Sequence, residues 1–212
     1  MIINKKLSRY IEKYIFPNYS KNDLGHNLDH INYVIDRCMK IVKKNKLDVN
    51  LDMIYTIAAC HDIGYYLDAK NHEKISAEML YKDKKLKEFF NNDEIIVMKE
   101  AVYDHRASLS DKPRSIYGEI ISSADRETRI NVQLQRMYEY RLIHNPDKSL
   151  DWMIEDSRLY IINKFGREGY ATKKVYFDDN DYNRFLEEIS NIAENKEVFR
   201  KVYIESNNLD DK

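Results

Sequence analysis

Apolar residues recur at intervals of three and four along most of this chain, the period of one face of an α-helix. Leu28, Ile31, Val34, Ile35, Cys38, Ile41 and Val42 follow that rhythm and predict an amphipathic helix over 28–45. Leu51 to Asp62 predicts a second helix. It is apolar on all sides through Met53-Ile54-Tyr55-Thr56-Ile57-Ala58-Ala59-Cys60 and therefore expected to be deeply buried, with Gly64 as its C-cap. Glu73 to Leu80 reads as a helix with Ile75, Met79 and Leu80 inward. Ile95, Met98, Val102 and His105 share one helical face, behind an N-cap at Asn92 or Asp93. Ile116, Ile120, Ile121 and Ala124 mark a further helix ending near Asp125.

The character changes beyond that point. Val132, Leu134, Met137, Tyr138 and Leu142 predict a helix reaching the turn His144-Asn145-Pro146. Ser149 should cap a helix carrying Leu150, Met153, Ile154, Ile161 and Phe165, stopped by Gly166. Gly169 to Asp181 mixes Tyr170, Tyr176 and Phe177 with Lys173-Lys174 and acids, and reads as irregular or briefly extended. Phe185 to Val202 is helical again, and Asn207 to Lys212 is expected to fray. There is no internal repeat and no low-complexity linker. The predicted fold class is all-α, a helical bundle-like array.

Composition supports this. Five Gly and three Pro in 212 residues favour long helices over a turn-rich β fold. That length suits a single domain over 1–212. Apolar residues at 43% and charged residues at 33% allow a real core under a heavily charged surface. A formal net charge of -1 provides no global attraction for nucleic acid or an anionic membrane, and neither partner is expected. Cys38 and Cys60 form no CxxC and lie in apolar stretches, so both read as buried free thiols. Met1-Ile2-Ile3-Asn4-Lys5-Lys6 lacks an apolar signal segment, and no apolar run approaches the ~18 residues that span a bilayer. A cytoplasmic location is expected.

The candidate chemistry begins with His61-Asp62. Six His and an ordinary Asp content yield one such dipeptide by chance about as often as not. Its setting is what matters. A strongly hydrated pair closes the most apolar helix of the chain, and burying a carboxylate without a partner is costly. A bound cation removes that cost. Other predicted helix ends carry similar groups: His30 near the start of the first, His72 at the start of the third, His105 and Asp125 at later C-termini. Carbonyl-rich helix C-termini favour a cation. Neighbouring residues diverge by ~100° on a helix, so an ion would nest between His61 and Asp62 with other helices completing its shell.

The order His30 … His61-Asp62 … Asp125 resembles the HD-domain superfamily of metal-dependent phosphohydrolases. His26-Asn27-Leu28-Asp29-His30-Ile31 is similar to the family's opening segment, in which the second His is the ligand. Ala58-Ala59-Cys60-His61-Asp62-Ile63-Gly64 resembles the HD helix end. His72-Glu73-Lys74-Ile75-Ser76-Ala77, Asp104-His105-Arg106 and Ser123-Ala124-Asp125-Arg126 resemble the segments that follow. The resemblance covers about 25–130 and implies an HD-type helical core, with 131–212 as extra C-terminal helices.

It implies His30, His61, Asp62 and Asp125 as metal ligands. Two imidazoles and two carboxylates without a thiolate suit Mn, Fe, Co, Ni or Mg better than structural zinc, and leave positions open for water. One or two divalent ions per chain fit. Resemblance to the dinuclear branches implies that His72 and His105 hold a second ion, with Asp62 bridging. In the one-metal alternative they line the pocket and contact phosphate or water.

Other residues are weaker candidates. His26 would share a face with His30 on a continuous helix, though the resemblance assigns it a supporting or pocket role. Arg106 and Arg126 are candidate phosphate clamps; ion pairing with a neighbouring carboxylate, Asp104 or Glu127, is the structural alternative. Arg126 reads more readily as a scaffold brace, and Lys70, Lys74 and Arg129 as solvated cations. Asp68 and Glu73 are candidates to orient water or protonate a leaving group. Tyr65-Tyr66 could floor the pocket or simply pack. His144 reads as solvated. The stretch 166–178 is either a substrate-sensing cover or, with the C-terminal helices, a cap on the core or a homodimer contact.

The function expected from the resemblance is hydrolysis of a phosphoester or phosphoanhydride in a nucleotide or other small phosphorylated metabolite, by attack of metal-bound hydroxide. His72, His105, Arg106 and Asp68 are the candidate catalytic residues. No Gly-Tyr-Pro signature accompanies the HD pair, as in one cyclic-dinucleotide branch, nor does the Glu-Asp pair of alarmone hydrolases. A diiron HD-type oxygenase and a non-catalytic nucleotide- or metal-binding regulator are the alternatives. Oxygen-dependent turnover would mark the first and binding without turnover the second.

Overall fold

The computed structural model describes residues 2–172 and 175–210, the side chain of Leu24 aside. Lys173-Lys174 and the last two residues of the expected fraying end lie outside the described residues. Among the described residues there are ten α-helices and no strand, so the chain is all-α. No described helix is long and apolar enough to cross a membrane.

The chain forms two compact units, one running up to Arg126 with Tyr176–Asp178 added, the other holding Glu127–Val175 and the residues from Asp179 on. The first contains α1 (Lys5–Tyr10), α2 (Leu28–Lys44), α3 (Leu51–Cys60), α4 (His72–Lys82), α5 (Asn92–Tyr103) and α6 (Ile116–Ala124). The apolar helix α3 packs against α2, α5 and α6, while α4 lies along α5. Ile31, Val34, Ile57, Met98, Val102 and Ile120 are buried in one core. Cys38 and Cys60 are buried free thiols, as the sequence predicts. Burial raises both thiols far above their ordinary range, so they stay protonated and inert.

The helix starts follow from side-chain caps. Asn27 accepts the His30 amide at 3.1 Å and so sets the first turn of α2. The cap of α5 is Asn91, one residue before the predicted Asn92 or Asp93. Asn91 Oδ1 accepts the Glu94 amide at 3.0 Å and Glu94 Oε2 accepts the Asn91 amide at 2.9 Å, a reciprocal capping box.

Residues 5–21 carry no element in the sequence-based assignment, yet they are helical: α1, a π turn over Ile11–Ile15 and a 3-10 turn over Phe16–Lys21. Leu7, Ile11, Ile15 and Tyr19 are all buried. That strict spacing of four drifts by about 40° per step on a regular α-helix. The wider π turn takes up part of the drift and keeps the stripe facing the core.

The second unit contains α7 (Ile130–His144), α8 (Leu150–Phe165), α9 (Asn180–Glu194) and α10 (Lys196–Ser206). Leu134, Ile161, Phe185, Ile189, Phe199 and Tyr203 make its core. Ser149 caps α8, accepting the Trp152 amide at 3.2 Å, and Gly166 ends it, as predicted. The single helix predicted over 185–202 is two. Asn195 interrupts it because its side chain accepts the Glu197 and Val198 amides at 3.0 and 3.1 Å, starting a new helix instead of continuing the old one.

Candidate metal centre

Five helix ends of the first unit converge. His30 lies in the first turn of α2, His61 caps the C-terminus of α3 and Asp62 opens the turn beyond it. His72 is the first residue of α4, His105 follows the end of α5, and Asp125 caps α6. The predicted helix Leu51–Asp62 stops at Cys60. The backbone therefore turns at His61-Asp62, and His61 Nε2 and Asp62 Oδ2 come within 3.2 Å of each other.

Two ligand groups share one residue. His30, His61, Asp62 and Asp125 each offer an atom within 4.8 Å of the others, and Asp62, His72 and His105 do the same. Asp62 divides its carboxylate between them. Oδ2 is 3.2 Å from His61 Nε2 and 3.7 Å from His30 Nε2; Oδ1 is 3.3 Å from His72 Nε2 and 3.5 Å from His105 Nε2. Asp125 Oδ1 closes the first group, 3.1 Å from His30 Nε2 and 3.5 Å from His61 Nε2.

Backbone carbonyls orient three of the rings. Nδ1 of His61 faces the Ala58 carbonyl at 2.8 Å, Nδ1 of His72 faces that of Ala69 at 2.9 Å, and Nδ1 of His105 faces that of Val102 at 2.6 Å. A carbonyl only accepts, so each Nδ1 carries the hydrogen and donates it. In the neutral ring that leaves the Nε2 lone pair for the centre, the arrangement of a metal-ligating histidine.

The donor set fits a cation. His61 Nε2 and Asp62 Oδ1 are buried atoms with no hydrogen-bond partner of proper geometry. Such atoms are expensive unless something positive lies between them. Burial pushes Asp62 and Asp125 upward, but the surrounding histidines outweigh it and hold both carboxyls well below their usual range. Burial likewise pulls His61 down, and Asp62 with Asp125 outweighs it and raises the imidazole. For His72 burial wins, and its pKa falls. The centre keeps its carboxylates charged and draws positive charge toward itself.

Around this core, the candidate residues fall into different places. Arg106 lies at the edge, with Nη1 2.9 Å from the Lys70 carbonyl and 3.2 Å from Glu73 Oε2. Its carboxylate partner is thus Glu73, not Asp104 or Glu127. Asp104 is taken by Arg114, whose Nη2 and Nε approach to 2.7 and 2.9 Å, and Glu127 by Arg129 at 2.8 Å. Arg126 is buried and donates from Nε to the Ser122 carbonyl at 3.3 Å, bracing the end of α6. Asp68 closes a turn. It accepts the Lys70 amide at 2.9 Å and the Asn71 side chain at 2.8 Å, which positions the start of α4 and His72.

His26 does not continue the helix of His30. It ends a separate 3-10 turn, Leu24–His26, because Asn27 begins α2 afresh. Its ring stacks on Tyr65 at a centroid distance of 3.7 Å, and its Nδ1 meets Asp23 Oδ1 at 2.6 Å. Tyr65 and His26 thus form an aromatic wall 5.3 and 6.3 Å from His72. Tyr66 lies under Lys21. Lys70 and Lys74 are exposed. In the second unit His144 is exposed and stacked on Tyr140.

Gly64 does not cap α3 in a left-handed conformation; among the described residues no glycine has positive φ. It is needed for space. A Cβ there would stand 2.6 Å from Ile75 Cγ2 and 2.9 Å from the Ser76 amide nitrogen, and the Gly64 amide itself donates to Ser76 Oγ at 3.0 Å. The cap of α3 is built from side chains instead. Tyr19 donates its hydroxyl to the Ala59 carbonyl at 2.8 Å, and Asn22 donates to the Asp62 carbonyl at 3.1 Å. Tyr19 is foreshadowed by its place in the apolar stripe 7, 11, 15, 19; nothing in the local sequence singles out Asn22 or Ser76.

Comparison with known proteins covers the residues of this centre. The family model described as HD domain matches residues 27–130, a span that contains all six residues of the two ligand groups. An uncharacterized protein of Clostridium beijerinckii is 30% identical over 121 residues, covering 54% of this chain and 71% of that protein. No solved structure matches. With the histidines and aspartates of the family's ordered segments gathered at one centre, the chain belongs to the HD-domain family.

Proposed function

We propose that this protein is a metal-dependent hydrolase of a phosphoester or phosphoanhydride bond in a small phosphorylated metabolite, with nucleotides the foremost class. HD domains belong to a superfamily of metal-dependent phosphohydrolases. The observation that carries the reading is the division of the Asp62 carboxylate between two pairs of histidine Nε2 atoms. His30, His61, Asp62 and Asp125 would hold one divalent ion, and Asp62, His72 and His105 a second. Bound there, such ions supply Lewis-acid polarisation of a phosphoryl oxygen and lower the pKa of coordinated water.

The chain's own residues do the rest. The carbonyls of Ala58, Ala69 and Val102 fix three imidazoles before substrate arrives, so little reorganisation accompanies reaction. Arg106 is bonded to Glu73, whose Oε2 lies 3.8 Å from His72 Nδ1, and would turn its guanidinium from Glu73 onto a phosphate. Arg106 gains a dianionic partner in place of Glu73 when it does so. The stacked rings of Tyr65 and His26 beside His72 offer an aromatic face suited to the non-phosphate part of a small substrate.

Metal analysis of protein purified without chelator, joined to a phosphoester and nucleotide screen under Mn, Mg, Co and Fe, tests the proposal. Wild type should retain metal and turn over at least one substrate without consuming oxygen. The His61→Ala and Asp62→Ala proteins should do neither. Metal-free wild type, or controls as active as wild type, would sink it. Oxygen-dependent turnover would move the protein to the oxygenase class, and tight nucleotide binding without turnover to a regulatory one.

A further inference from the structure

The last carbonyls of a helix have no donor within it and must find one elsewhere. At the end of α3 the carbonyls of residues 58–60 all have partners. Ala58 receives the His61 ring, Ala59 the Tyr19 hydroxyl, and Cys60 the Ile63 amide at 3.3 Å. The Asp62 carbonyl receives the Tyr65 amide at 3.1 Å and Asn22 Nδ2 at 3.1 Å. Two of these partners, Tyr19 and Asn22, come from the segment that precedes α2.

Asn22 makes three bonds from one side chain. Nδ2 donates to the carbonyls of Asp62 and of His26, the latter at 2.9 Å, and Oδ1 accepts the Tyr66 amide at 3.1 Å. It therefore holds both ends of the 62–66 turn and ties that turn to the stretch leading into His30. The residues so joined are Asp62 and Tyr66 on one side and His26, four residues before His30, on the other. His30 and Asp62 contribute to the same ligand group from different helices, and the 3.7 Å between His30 Nε2 and Asp62 Oδ2 depends on how those two segments are spaced.

We propose that Asn22 is a positioning residue of the metal centre: it sets the Asp62 turn against the segment leading into His30. The assignment rests on the metal-dependent function proposed above. All three bonds of Asn22 go to backbone groups. It acts through the backbone on the one carboxylate that both ligand groups share, and outer partners of metal ligands typically control affinity by 10–100-fold.

The test uses two variants of the full chain. Asn22→Asp keeps the shape but turns a donor of two bonds into an acceptor facing two carbonyls. Asn18→Ala is the control. Asn18 lies in the same segment and donates at 3.0 and 3.1 Å to the Tyr14 and Ile15 carbonyls, but touches neither the 62–66 turn nor the stretch leading into His30. Hydrogen exchange is measured first, with chelator present. Asn22→Asp should speed exchange of the 62–67 peptide while the 51–60 peptide is unchanged; Asn18→Ala should leave both as in wild type. Mn(II) titration well below the melting temperature should then show affinity lowered about tenfold or more in Asn22→Asp and unaltered in Asn18→Ala. Unchanged exchange at 62–67, or equal loss of Mn(II) affinity in the control, overturns the role of Asn22. A wild type that binds no Mn(II) while the exchange difference holds overturns the metal-dependent function and leaves the brace standing.

Discussion

His72 Nε2 and His105 Nε2 stand 3.2 Å apart, and neither ring is at liberty to turn away. Each donates Nδ1–H to the backbone carbonyl three residues before it, Ala69 for one and Val102 for the other. In neutral rings both Nε2 atoms would present lone pairs to each other, which repel. A positive charge resolves the conflict, and Asp62 Oδ1 lies 3.3 and 3.5 Å from the two nitrogens to balance it. The pair therefore has the electrostatics of a second cation position.

From this we expect wild type to bind two Mn(II) per chain and the His72→Ala/His105→Ala double variant to bind one. Titration calorimetry or elemental analysis reads the number directly. Two ions in the double variant would show that these histidines only line the pocket.

Asp62→Asn should be worse than loss of either histidine. It removes the charge both groups share and places an amide nitrogen toward imidazole nitrogens. Since partners one step removed from a metal already cost 10–100-fold, we expect metal affinity and kcat/KM to fall by roughly 100-fold or more. Activity within a few fold of wild type would contradict the bridging arrangement.

Gly64→Ala should destabilise the first unit by about 1–3 kcal/mol, the usual cost of overpacking. The added methyl meets Ile75 Cγ2 at 2.6 Å and the Ser76 backbone nitrogen at 2.9 Å, and the backbone cannot yield as a flexible side chain would. Because Ser76 belongs to the helix that begins with His72, thermal unfolding and metal affinity should suffer together.

Arg106→Ala should reduce kcat/KM for a phosphorylated substrate by about tenfold or more, the scale of one charge-assisted hydrogen bond. Metal content should not change, since Arg106 meets Glu73 and the Lys70 carbonyl and belongs to neither ligand group. Loss of metal in this variant would make Arg106 a scaffold residue.

In the second unit Glu155 is hydrogen-bonded to Arg158 at 2.8 and 2.9 Å and pairs with Lys196 at 3.1 Å. Arg158 first and Lys196 second lower its carboxyl to about 2. The folded state thus binds fewer protons than the unfolded one between the two pKa values. Its contribution is present above the ordinary glutamate range and is lost as pH falls through about 2. Glu155→Gln should flatten that part of the acid-unfolding curve by a modest amount, because the group is solvent-screened. An unchanged acid limb would count against it.

Much of this architecture was legible from periodicity. Helices with broad apolar faces, such as Leu28–Lys44 and Leu150–Phe165, announce themselves because burial of one face at a period near 3.6 leaves its mark on residue order. The six residues of the ligand groups could be named from their types and their places at helix ends. The breaks were harder to see. Asn195 reads as a tolerable helix residue until its side chain is seen capping Glu197 and Val198, and the stripe of Leu7, Ile11, Ile15 and Tyr19 has the spacing of a widened turn.

By itself, then, the order of residues determined an all-α chain and which side chains could carry metal chemistry, since both follow from local pattern and residue type. Tertiary structure alone decided how those side chains are shared. That Asp62 faces histidines with both oxygens, that Arg106 meets Glu73, and that Asn22 holds the Asp62 turn are relations between segments up to 44 residues apart. Such distances are set by packing of whole helices against one core, and no local period encodes them.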